Sequence, residues 1–558
     1  MKNLRYLIAM AIVMLAIAPS HAFGQTVYST GTQGCCDILD PHYTLVAAPP
    51  GVTLGNVYST PLACGCCGCW VNPLPDSSWI DPTGTADWGA PVGNYTYRQT
   101  FTLDRTSGAV LTGEFSSDNP SCVTLNGGPA QCTLGGEFSY LQYTPFQFTT
   151  GFQVGTNTLD FVVYNDGDPT GLEVAVDVDK KLYSFGHGPD GAGPEAGLIS
   201  DAAGNLYGTT VNGGAYNGGT VFALTPREGG GWTEKKLRNF GHGTDGINPN
   251  ASLLFDAAGN LYGTTYAGGS YGLGTVFKLT PNTDGTWSEK VLHSFGNGPD
   301  GKNPFAGLIW DPAGNLYGTT ANGGGYDFGT VFELMPNGSG GWREKVLRNF
   351  GNATDGQTPY GSLVMDAAGN LYGTTWAGGV YGYGTVFELS PHANGNWSEK
   401  RLRHFGHDLD GRNPSASLIW DAAGNLYGTT SSGGGHGGGT VFALMPLGDG
   451  RWSEEQVHDF NSGGKDGNNP RGSLIWDAAG NLYGTTYGGG THGYGTVFKL
   501  SPQDGGGSTE SVVYSFNNDG TDGAKPCAGL IWDASGNLYS TTSSGGAYEG
   551  GMVFEITP

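Results

Sequence analysis

The chain has 558 residues, 101 of them glycine, and its 49 acidic against 25 basic residues give a formal net charge of −24. Glycine at this frequency without a Gly-x-y period excludes collagen, and it argues against a helical protein because glycine costs about 1 kcal/mol per helical position relative to alanine. The acidic balance argues against nucleic acid or an anionic membrane surface as a partner, since both bind basic patches. With 12% aromatic residues the chain is not a disordered low-complexity sequence, and a turn-dense all-β protein remains.

The first segment has the features of a secretory signal peptide. Lys2 and Arg5 precede an apolar run at 7–17 that is too short to span a membrane, and Ser20 and Ala22 place small residues before a cleavage site. We therefore expect residues 1–22 to be removed. The mature protein is then expected to be secreted, periplasmic or on the cell surface, with no membrane insertion after cleavage.

Eight of the nine cysteines lie between positions 35 and 132, and an even number in an exported segment indicates disulfides. Cys122 and Cys132 bracket a hairpin-like turn and are predicted to pair. The segment 64–69 reads Cys-Gly-Cys-Cys-Gly-Cys and could bind a metal through thiolates instead, although its spacing is not that of a zinc ribbon. The pairing stays open for Cys35, Cys36, Cys64, Cys66, Cys67 and Cys69, and Cys527 lies far away in the chain.

Residues 23–178 form a Cys-rich segment without the repeat that follows it. Strands are predicted at 95–103, 109–116, 122–125, 146–149 and 158–164, separated by Gly, Asn and Pro turns. No helix start is evident. This segment is predicted to be a β-sandwich.

The remainder is built of repeats. The heptapeptide Gly-Asn-Leu-Tyr-Gly-Thr-Thr begins at positions 204, 259, 314, 369, 424 and 480, and a seventh copy with one serine begins at 536. Each unit contains four strand-like pieces, which in the third unit are 306–311, 315–320, 329–334 and 344–350. Asp311 begins a tight turn in which glycine takes the positive φ. Four strands per unit in seven units predict a seven-bladed β-propeller at 179–558, with a parallel β-helix as the alternative.

The two ends of the array are complementary. Residues 181–185 match the fourth piece of a unit, and the chain ends on the third piece of the last unit. Pairing of 181–185 with 552–557 would close the ring and remove the exposed sheet edges. In this register the Leu-Ile-Trp-Asp strands are innermost.

These motifs carry a resemblance. Units with Gly-Asn-Leu-Tyr-Gly-Thr-Thr followed by Gly-Gly-x-Tyr-x-x-Gly-Thr-Val-Phe resemble the GloVer (Gloeo/Verruco) tandem-repeat family of exported bacterial proteins, over roughly 180–558. The family is surface-associated and of undefined activity, so the resemblance implies a fold and a location rather than a reaction. The N-terminal segment resembles a galactose-binding-like jelly roll at 78–82, 95–101, 117–119, 125–127 and 155–163. That resemblance implies sugar binding, with a possible structural calcium and no other cofactor.

Candidate ligand residues lie on the loops that a propeller gathers on one face. Residues that recur in every unit are more simply explained as turn formers or packing, whereas positions that differ between units are better ligand candidates. The residue after Thr-Thr is a large aromatic at Tyr266, Trp376 and Tyr487. A second loop position carries Tyr271, Tyr326, Tyr381, His436 and His492, and an Asp-Gly motif carries Asp190, Asp245, Asp300, Asp355, Asp410, Asp466 and Asp522. In the N-terminal segment the candidates are Trp79, Trp88, Tyr97, Asp118 and Asn126.

No catalytic signature is present: the sequence has no H-E-x-x-H motif, no G-x-S-x-G elbow between a strand and a helix and no P-loop, and no unit gains a His/Asp/Glu cluster. We therefore expect an exported, non-catalytic binding or adhesion protein, with a glycan or another surface ligand as its partner. Two alternatives stay open. One is a polysaccharide hydrolase or lyase with its site on the propeller loop face, and the other is a purely structural surface protein.

Overall fold

The structure is a computed structural model. It describes residues 96–98, 121–132, 146, 148, 150–153, 156–163, 181–227, 231–338, 340–448, 450–503 and 507–558, together with the backbone of the strands between 38 and 180. The predicted signal peptide, the six unassigned cysteines, Trp88 and Asp118 lie outside the described residues. Every described element is a β-strand, which confirms the all-β class. Within these ranges no helix is long and apolar enough to cross a membrane.

Eleven described strands precede or open the repeats: β1 Ile38–Leu39, β2 Thr44–Ala47, β3 Tyr58–Thr60, β4 Trp79–Asp81, β5 Gly93–Leu103, β6 Ala109–Ser117, β7 Ser121–Leu125, β8 Gln131–Cys132, β9 Thr144–Phe148, β10 Gly155–Asn165 and β11 Leu172–Ser184. One antiparallel sheet has the order β2-β5-β10-β7-β8, and in a second sheet β6 lies between β9 and β11. A disulfide joins Cys122 on β7 to Cys132 on β8. All five strands predicted for this segment are present.

Each repeat unit contains four strands, which we name inner, second, third and outer. The inner strands are Ile199–Ser200, Leu254–Phe255, Ile309–Trp310, Val364–Met365, Ile419–Trp420, Ile475–Trp476 and Ile531–Trp532. The second strands are Leu206–Thr210, Leu261–Thr265, Leu316–Thr320, Leu371–Thr375, Leu426–Thr430, Leu482–Gly488 and Leu538–Gly545. The third strands are Thr220–Pro226, Thr275–Pro281, Thr330–Pro336, Thr385–Pro391, Gly437–Pro446, Thr496–Pro502 and Met552–Thr557. The outer strands are Trp232–Asn239, Trp287–Ser294, Trp342–Asn349, Trp397–His404, Trp452–Asn461 and Ser508–Ser515, with β11 as the outer strand of the last unit.

The four strands of a unit pair antiparallel in chain order. In the third unit Ile309 lies opposite Tyr317, Leu316 opposite Leu334 and Pro336 opposite Trp342. This consecutive antiparallel pairing excludes the parallel β-helix. It also places the second and third strands, whose side chains are almost all buried, in the middle of each sheet.

The turn between the inner and second strands explains why the heptapeptide recurs. Oδ1 of Asp311 accepts hydrogen bonds from the amides of Ala313 and Asn315 at 2.9 and 2.8 Å. Its Oδ2 accepts from the Asn315 side chain and the Tyr317 hydroxyl at 2.8 and 3.1 Å. Gly314 has φ +84°, a conformation that costs glycine little. The turn chemistry predicted from the sequence is confirmed.

Neighbouring sheets pack through pairs of buried phenylalanines. One ring stands at the end of each outer strand or just past it, and contacts a ring on the third strand of the next unit, with centroids 4.8–5.1 Å apart. The described pairs are 185–222, 240–277, 295–332, 350–387, 405–442, 460–498 and 516–554. The first of these joins the last unit to the first, because Phe185 follows β11.

Segments that lead into the inner strands also touch from one unit to the next. The amide of Gly307 donates to Ser362 Oγ at 2.9 Å, and the amide of Ser362 donates to Ser417 Oγ at 2.9 Å. These small residues allow the backbones of consecutive units to approach closely. The inner strands therefore lie on the side of the sheets where the units converge, which we call the axis.

Strand β11 belongs to two sheets at once. Its residues 178–184 pair with Met552–Thr557, and its residues 172–180 pair with β6. A single strand thus runs without interruption from the N-terminal sheet into the last repeat unit.

Candidate functional site

Two loops of each unit lie side by side at one end of the axis. In the third unit the loop strand Gly301–Lys302, before the inner strand, pairs with Asn322–Gly323, after the second strand. The same pairing occurs in the first, second, fourth and fifth units between Gly191–Ala192 and Asn212–Gly213, Gly246–Ile247 and Ala267–Gly268, Gly356–Gln357 and Ala377–Gly378, and Gly411–Arg412 and Ser432–Gly433. In the last two units Asn468–Pro470 and Gly523–Pro526 pair with the extended second strand.

This arrangement brings together two residues of every unit, and we call the set the axial site. One residue follows the proline that precedes the inner strand: Glu195, Asn250, Phe305, Tyr360, Ser415, Arg471 and Cys527. The other follows Thr-Thr: Val211, Tyr266, Ala321, Trp376, Ser431, Tyr487 and Ser543. Both positions vary between units, so the axial site has no internal symmetry in its chemistry.

The backbone that carries the axial site is fixed by the residue before the proline. Asn303 has φ +57°, and its side-chain amide donates to the carbonyl of Tyr266 at 3.0 Å. Its own carbonyl accepts from the amide of Ala321 at 3.0 Å. Asn413 holds the carbonyl of Trp376 in the same way, at 3.0 Å. Asparagine suits this position because its short polar side chain makes a left-handed backbone tolerable.

Four aromatic side chains form a continuous row on one side of the axial site, which we call the aromatic arc. The ring centroids are 6.3 Å apart for Tyr266 and Phe305, 4.9 Å for Phe305 and Tyr360, and 6.3 Å for Tyr360 and Trp376. Trp376 is 42% exposed and the other three are partly buried. Burial raises the pKa of the Tyr360 hydroxyl, and nearby Tyr266 raises it further. The arc spans the second to fourth units.

A pair of cations occupies the sixth and seventh units, which we call the cationic corner. The guanidinium carbon of Arg471 lies 4.2 Å from the ring centre of Tyr487, and Nζ of Lys525 lies 5.7 Å from the same centre. Nε of Arg471 donates to Asn469 Oδ1 at 3.0 Å. Arg471 and Lys525 are both exposed. Among the described residues, no carboxylate oxygen lies within 4.0 Å of their nitrogens.

Glu195 and Cys527 complete this side of the axial site. Sγ of Cys527 lies 3.7 Å from the carbonyl oxygen of Glu195. Burial raises the pKa of the Glu195 carboxyl, and Arg471 lowers it in part. Burial raises the pKa of the Cys527 thiol to about 12, and Glu195 adds to the shift, so this thiol stays protonated near neutral pH. Glu195 is the one carboxylic acid among the axial-site residues.

The Asp-Gly motif serves the contacts between units. Asp355 is fully buried, its Oδ1 accepts from the amide of Gly356 at 2.9 Å, and its Oδ2 lies 2.6 Å from Arg348. Arg348 also contacts Glu399 of the next unit at 2.7 Å. The burial of Glu399 and then the charge of Asp355 raise the pKa of this glutamate to about 7. Asp355 therefore helps to hold two neighbouring units together through Arg348.

The recurring Tyr/His position lies at exposed loop tips. Tyr271, Tyr326 and Tyr381 are 51%, 49% and 44% exposed, and the Tyr381 ring lies 5.1 Å from that of His407. Nδ1 of His436 is 2.8 Å from Asp459 Oδ2, and His492 is exposed. No ring contact described for the chain links these residues to the aromatic arc.

Two stretches of the chain, 146–367 and 340–554, match the family model described as the Gloeobacter/Verrucomicrobia repeat. The chain belongs to the Gloeobacter/Verrucomicrobia repeat family. This confirms the family resemblance predicted from the heptapeptide. The comparison with curated proteins found no similar sequence.

Several solved structures are similar to this Gloeobacter/Verrucomicrobia repeat protein. A Dyadobacter fermentans protein of unknown function is 12% identical, covers 60% of this chain and 97% of its own, and has a TM-score of 0.33. An ulvan lyase from a polysaccharide lyase family is 13% identical over 67% of this chain and 94% of its own, with a TM-score of 0.42. The NanB sialidase of Streptococcus pneumoniae is 9% identical over 93% of this chain and 92% of its own, with a TM-score of 0.34. Similarity at this level does not identify a substrate.

Sequence reasoning found part of the axial site of this repeat protein. Tyr266 and Trp376 both lie in the aromatic arc, whereas Tyr487 lies apart from it and contacts Arg471. The residues after the prolines were missed. The signal was present, because the proline itself recurs in every unit while the residue after it changes from unit to unit.

Only some of the candidate residues in the N-terminal segment lie within the described part of the chain. Asn126 has φ +51°, donates to Gly151 O and Asn157 Oδ1 at 3.0 and 2.8 Å, and accepts from the Thr158 amide at 2.8 Å, which are the contacts of a turn residue. Tyr97 is fully buried. Trp79 lies on β4, but its side chain is outside the described residues, as are Trp88 and Asp118. Among described residues no three His, Cys, Asp or Glu side chains are grouped to hold a metal ion.

Proposed function

We propose that this protein is an exported, non-catalytic carbohydrate-binding protein whose repeat array is a seven-bladed β-propeller with its ligand site at the axis. The closed order of phenylalanine contacts from unit to unit supports the propeller. The proposal includes removal of residues 1–22, a galactose-binding-like β-sandwich at 23–178, the propeller at 179–558, and a location outside the cytoplasm. The Cys122–Cys132 disulfide supports an oxidising compartment.

The observation that carries the proposal is the aromatic arc. Sugar rings present apolar C–H faces, which pack against aromatic rings, while their hydroxyls bond to polar groups nearby. The successive centroid distances of 6.3, 4.9 and 6.3 Å make the aromatic arc longer than a single sugar ring. We therefore expect it to bind an oligosaccharide rather than a monosaccharide. An exposed aromatic surface of this kind gains free energy when a ligand covers it.

The carboxylic acids in and near the axial site favour a binding function over glycoside hydrolysis. Glycoside hydrolysis generally uses two carboxyl groups about 5–10 Å apart. The axial site has Glu195 as its one carboxylic acid. Three aspartates of the Asp-Gly motif, Asp245, Asp355 and Asp410, are buried and contact arginines. The aromatic platform itself needs no carboxylate to bind a saccharide.

The test is glycan-array binding by the full mature chain, followed by titration with the best oligosaccharide. Trp376→Ala removes the most exposed ring of the arc and is expected to weaken binding about 10-fold, equivalent to about 1.4 kcal/mol. Tyr381→Ala is the matched control, because this ring is 44% exposed in the same unit but lies at a loop tip. The two variants should keep the wild-type melting temperature. Equal affinities for both variants, or a wild-type protein that binds no glycan, would refute the proposal.

A further inference from the structure

The cationic corner suggests what kind of saccharide the axial site binds, and this inference rests on the proposed function. We infer that the ligand is an anionic saccharide whose carboxylate or sulfate group is bound by Arg471 and Lys525 beside Tyr487, while its sugar rings pack on the aromatic arc. The arc belongs to the second to fourth units and the cationic corner to the sixth and seventh. A chain that crosses the axis would contact both.

Arg471 differs from the arginines that bridge neighbouring units of the array. Arg238 contacts Asp245 and Glu289, both at 2.6 Å, and Arg403 contacts two carboxylates at 2.9 and 2.6 Å. Arg471 contacts none within 4.0 Å among the described residues, in a chain of net charge −24. An arginine without a carboxylate in so acidic a protein is available to an external anion.

The geometry of Arg471 suits an oxyanion. Its Nε donates to Asn469 Oδ1 at 3.0 Å and its guanidinium carbon lies 4.2 Å from the centre of the Tyr487 ring, and both contacts restrain the orientation of the group. No hydrogen bond within the described chain occupies its terminal nitrogens. A planar guanidinium fork matches the oxygens of a carboxylate or sulfate in a bidentate geometry. The nearby Glu195 carboxyl is the group that would oppose an anion, and it makes no contact with Arg471 within 4.0 Å.

Lys525 occupies a position where none of the other six units has a lysine. Four of the equivalent residues are asparagines, at 248, 303, 413 and 469, and the other two are Gly193 and Thr358. Lys525 has φ +59°, a left-handed conformation that lysine adopts less readily than asparagine or glycine. It also lacks the side-chain amide with which Asn248, Asn303 and Asn413 donate to a carbonyl of the preceding unit. The array therefore gives up local stability at this point and gains a second cation near Tyr487.

The experiment compares an acidic oligosaccharide with its carboxyl-reduced neutral counterpart, and a sulfated oligosaccharide separates the two anion types. Calorimetric titrations use the full mature chain at low and at physiological ionic strength. We expect the wild type to prefer the acidic probes, with an affinity that falls as salt rises. Arg471→Gln should weaken binding of an acidic probe about 10-fold or more and leave the neutral probe unchanged. Lys525→Asn should also weaken binding of an acidic probe. It should keep the fold, since asparagine stands at four equivalent positions.

Arg412→Gln is the matched control, because Arg412 also lies over a tyrosine ring, at 4.5 Å from Tyr383, but outside the axial site. It should leave every affinity unchanged. The inference is overturned if the wild type binds the neutral probe as tightly as the acidic one, or if Arg412→Gln costs as much as Arg471→Gln. In those cases Trp376→Ala still weakens binding, and the proposed carbohydrate function stands. Absence of binding to every probe would instead refute the proposed function itself.

Discussion

The buried glutamates between units should make the protein less stable as the pH rises. Glu510 on the outer strand Ser508–Ser515 shows the effect most strongly, because burial and then the charge of Asp466 raise its pKa from 4.5 to about 8. Its Oε1 has no hydrogen-bond partner within the part of the chain that the structure describes. A carboxyl with a raised pKa in the folded state binds its proton more tightly than in the unfolded chain. Its stabilising contribution is complete below pH 4.5 and is lost as the pH rises through about 8.

The substitution Glu510→Gln replaces the carboxyl with a neutral amide of the same shape. At about 1.36 kcal/mol per pKa unit, the full shift of Glu510 corresponds to about 5 kcal/mol above its folded pKa, and partial solvent screening reduces this to about 2 kcal/mol. We expect the variant to be more stable than the wild type by about 2 kcal/mol near pH 9 and about equally stable near pH 5. His458, which lies 3.7 Å from Asp466, has a pKa lowered by burial and acts mainly on the acid side.

The assay is urea unfolding of both proteins near pH 5, 7 and 9, followed by intrinsic tryptophan fluorescence. Glu455→Gln on the neighbouring outer strand serves as the control, because Glu455 is exposed and its substitution should change stability little at any pH. The reasoning fails if Glu510→Gln gains the same free energy at acid and alkaline pH, or if the wild type becomes more stable between pH 5 and 9.

Two further substitutions test the contact that joins the last unit to the first. A Cβ at Gly550 would clash with the carbonyl of Phe185, whereas one at Gly463, which also lacks a positive φ, would meet nothing closer than Asn461 Oδ1 at 4.0 Å, so Gly550→Ala should lower the melting temperature more than Gly463→Ala. Phe185→Ala removes the buried ring 4.8 Å from Phe222 and should cost about 3–5 kcal/mol in chemical denaturation; a cost under about 1 kcal/mol would contradict a closed array.

Much of the repeat could be predicted from the sequence because its strands are bounded by local chemistry. Asp311 fixes its turn through four hydrogen bonds to residues within six positions of it, and such contacts follow from the sequence alone. The second and third strands could also be predicted, since each is a short β-branched and aromatic run between glycine turns.

The axial site was harder to predict because its contacts join different units. Phe305 meets Tyr360, 55 residues later, and it meets Tyr266 in the preceding unit. Sequence periodicity predicts that equivalent residues of the units lie at equivalent places around the axis. It does not say which position in a loop faces the axis. That depends on the left-handed turn at Asn303, where the chain changes direction just before the proline. An asparagine-proline pair was visible in the sequence, but its backbone conformation was not.

Strand β11 and its partner strand in the last repeat unit, Met552–Thr557, are synthesised at very different times. A ribosome makes residues 172–184 long before it makes Met552–Thr557, so the early strand has no partner on that edge until the final residues emerge. Pairing across nearly the whole repeat region has a high contact order and is intrinsically slow. We therefore expect the pairing of β11 with Met552–Thr557 to form late in folding, and a chain that lacks Met552–Thr557 should expose the unpaired edge of β11 and aggregate more readily.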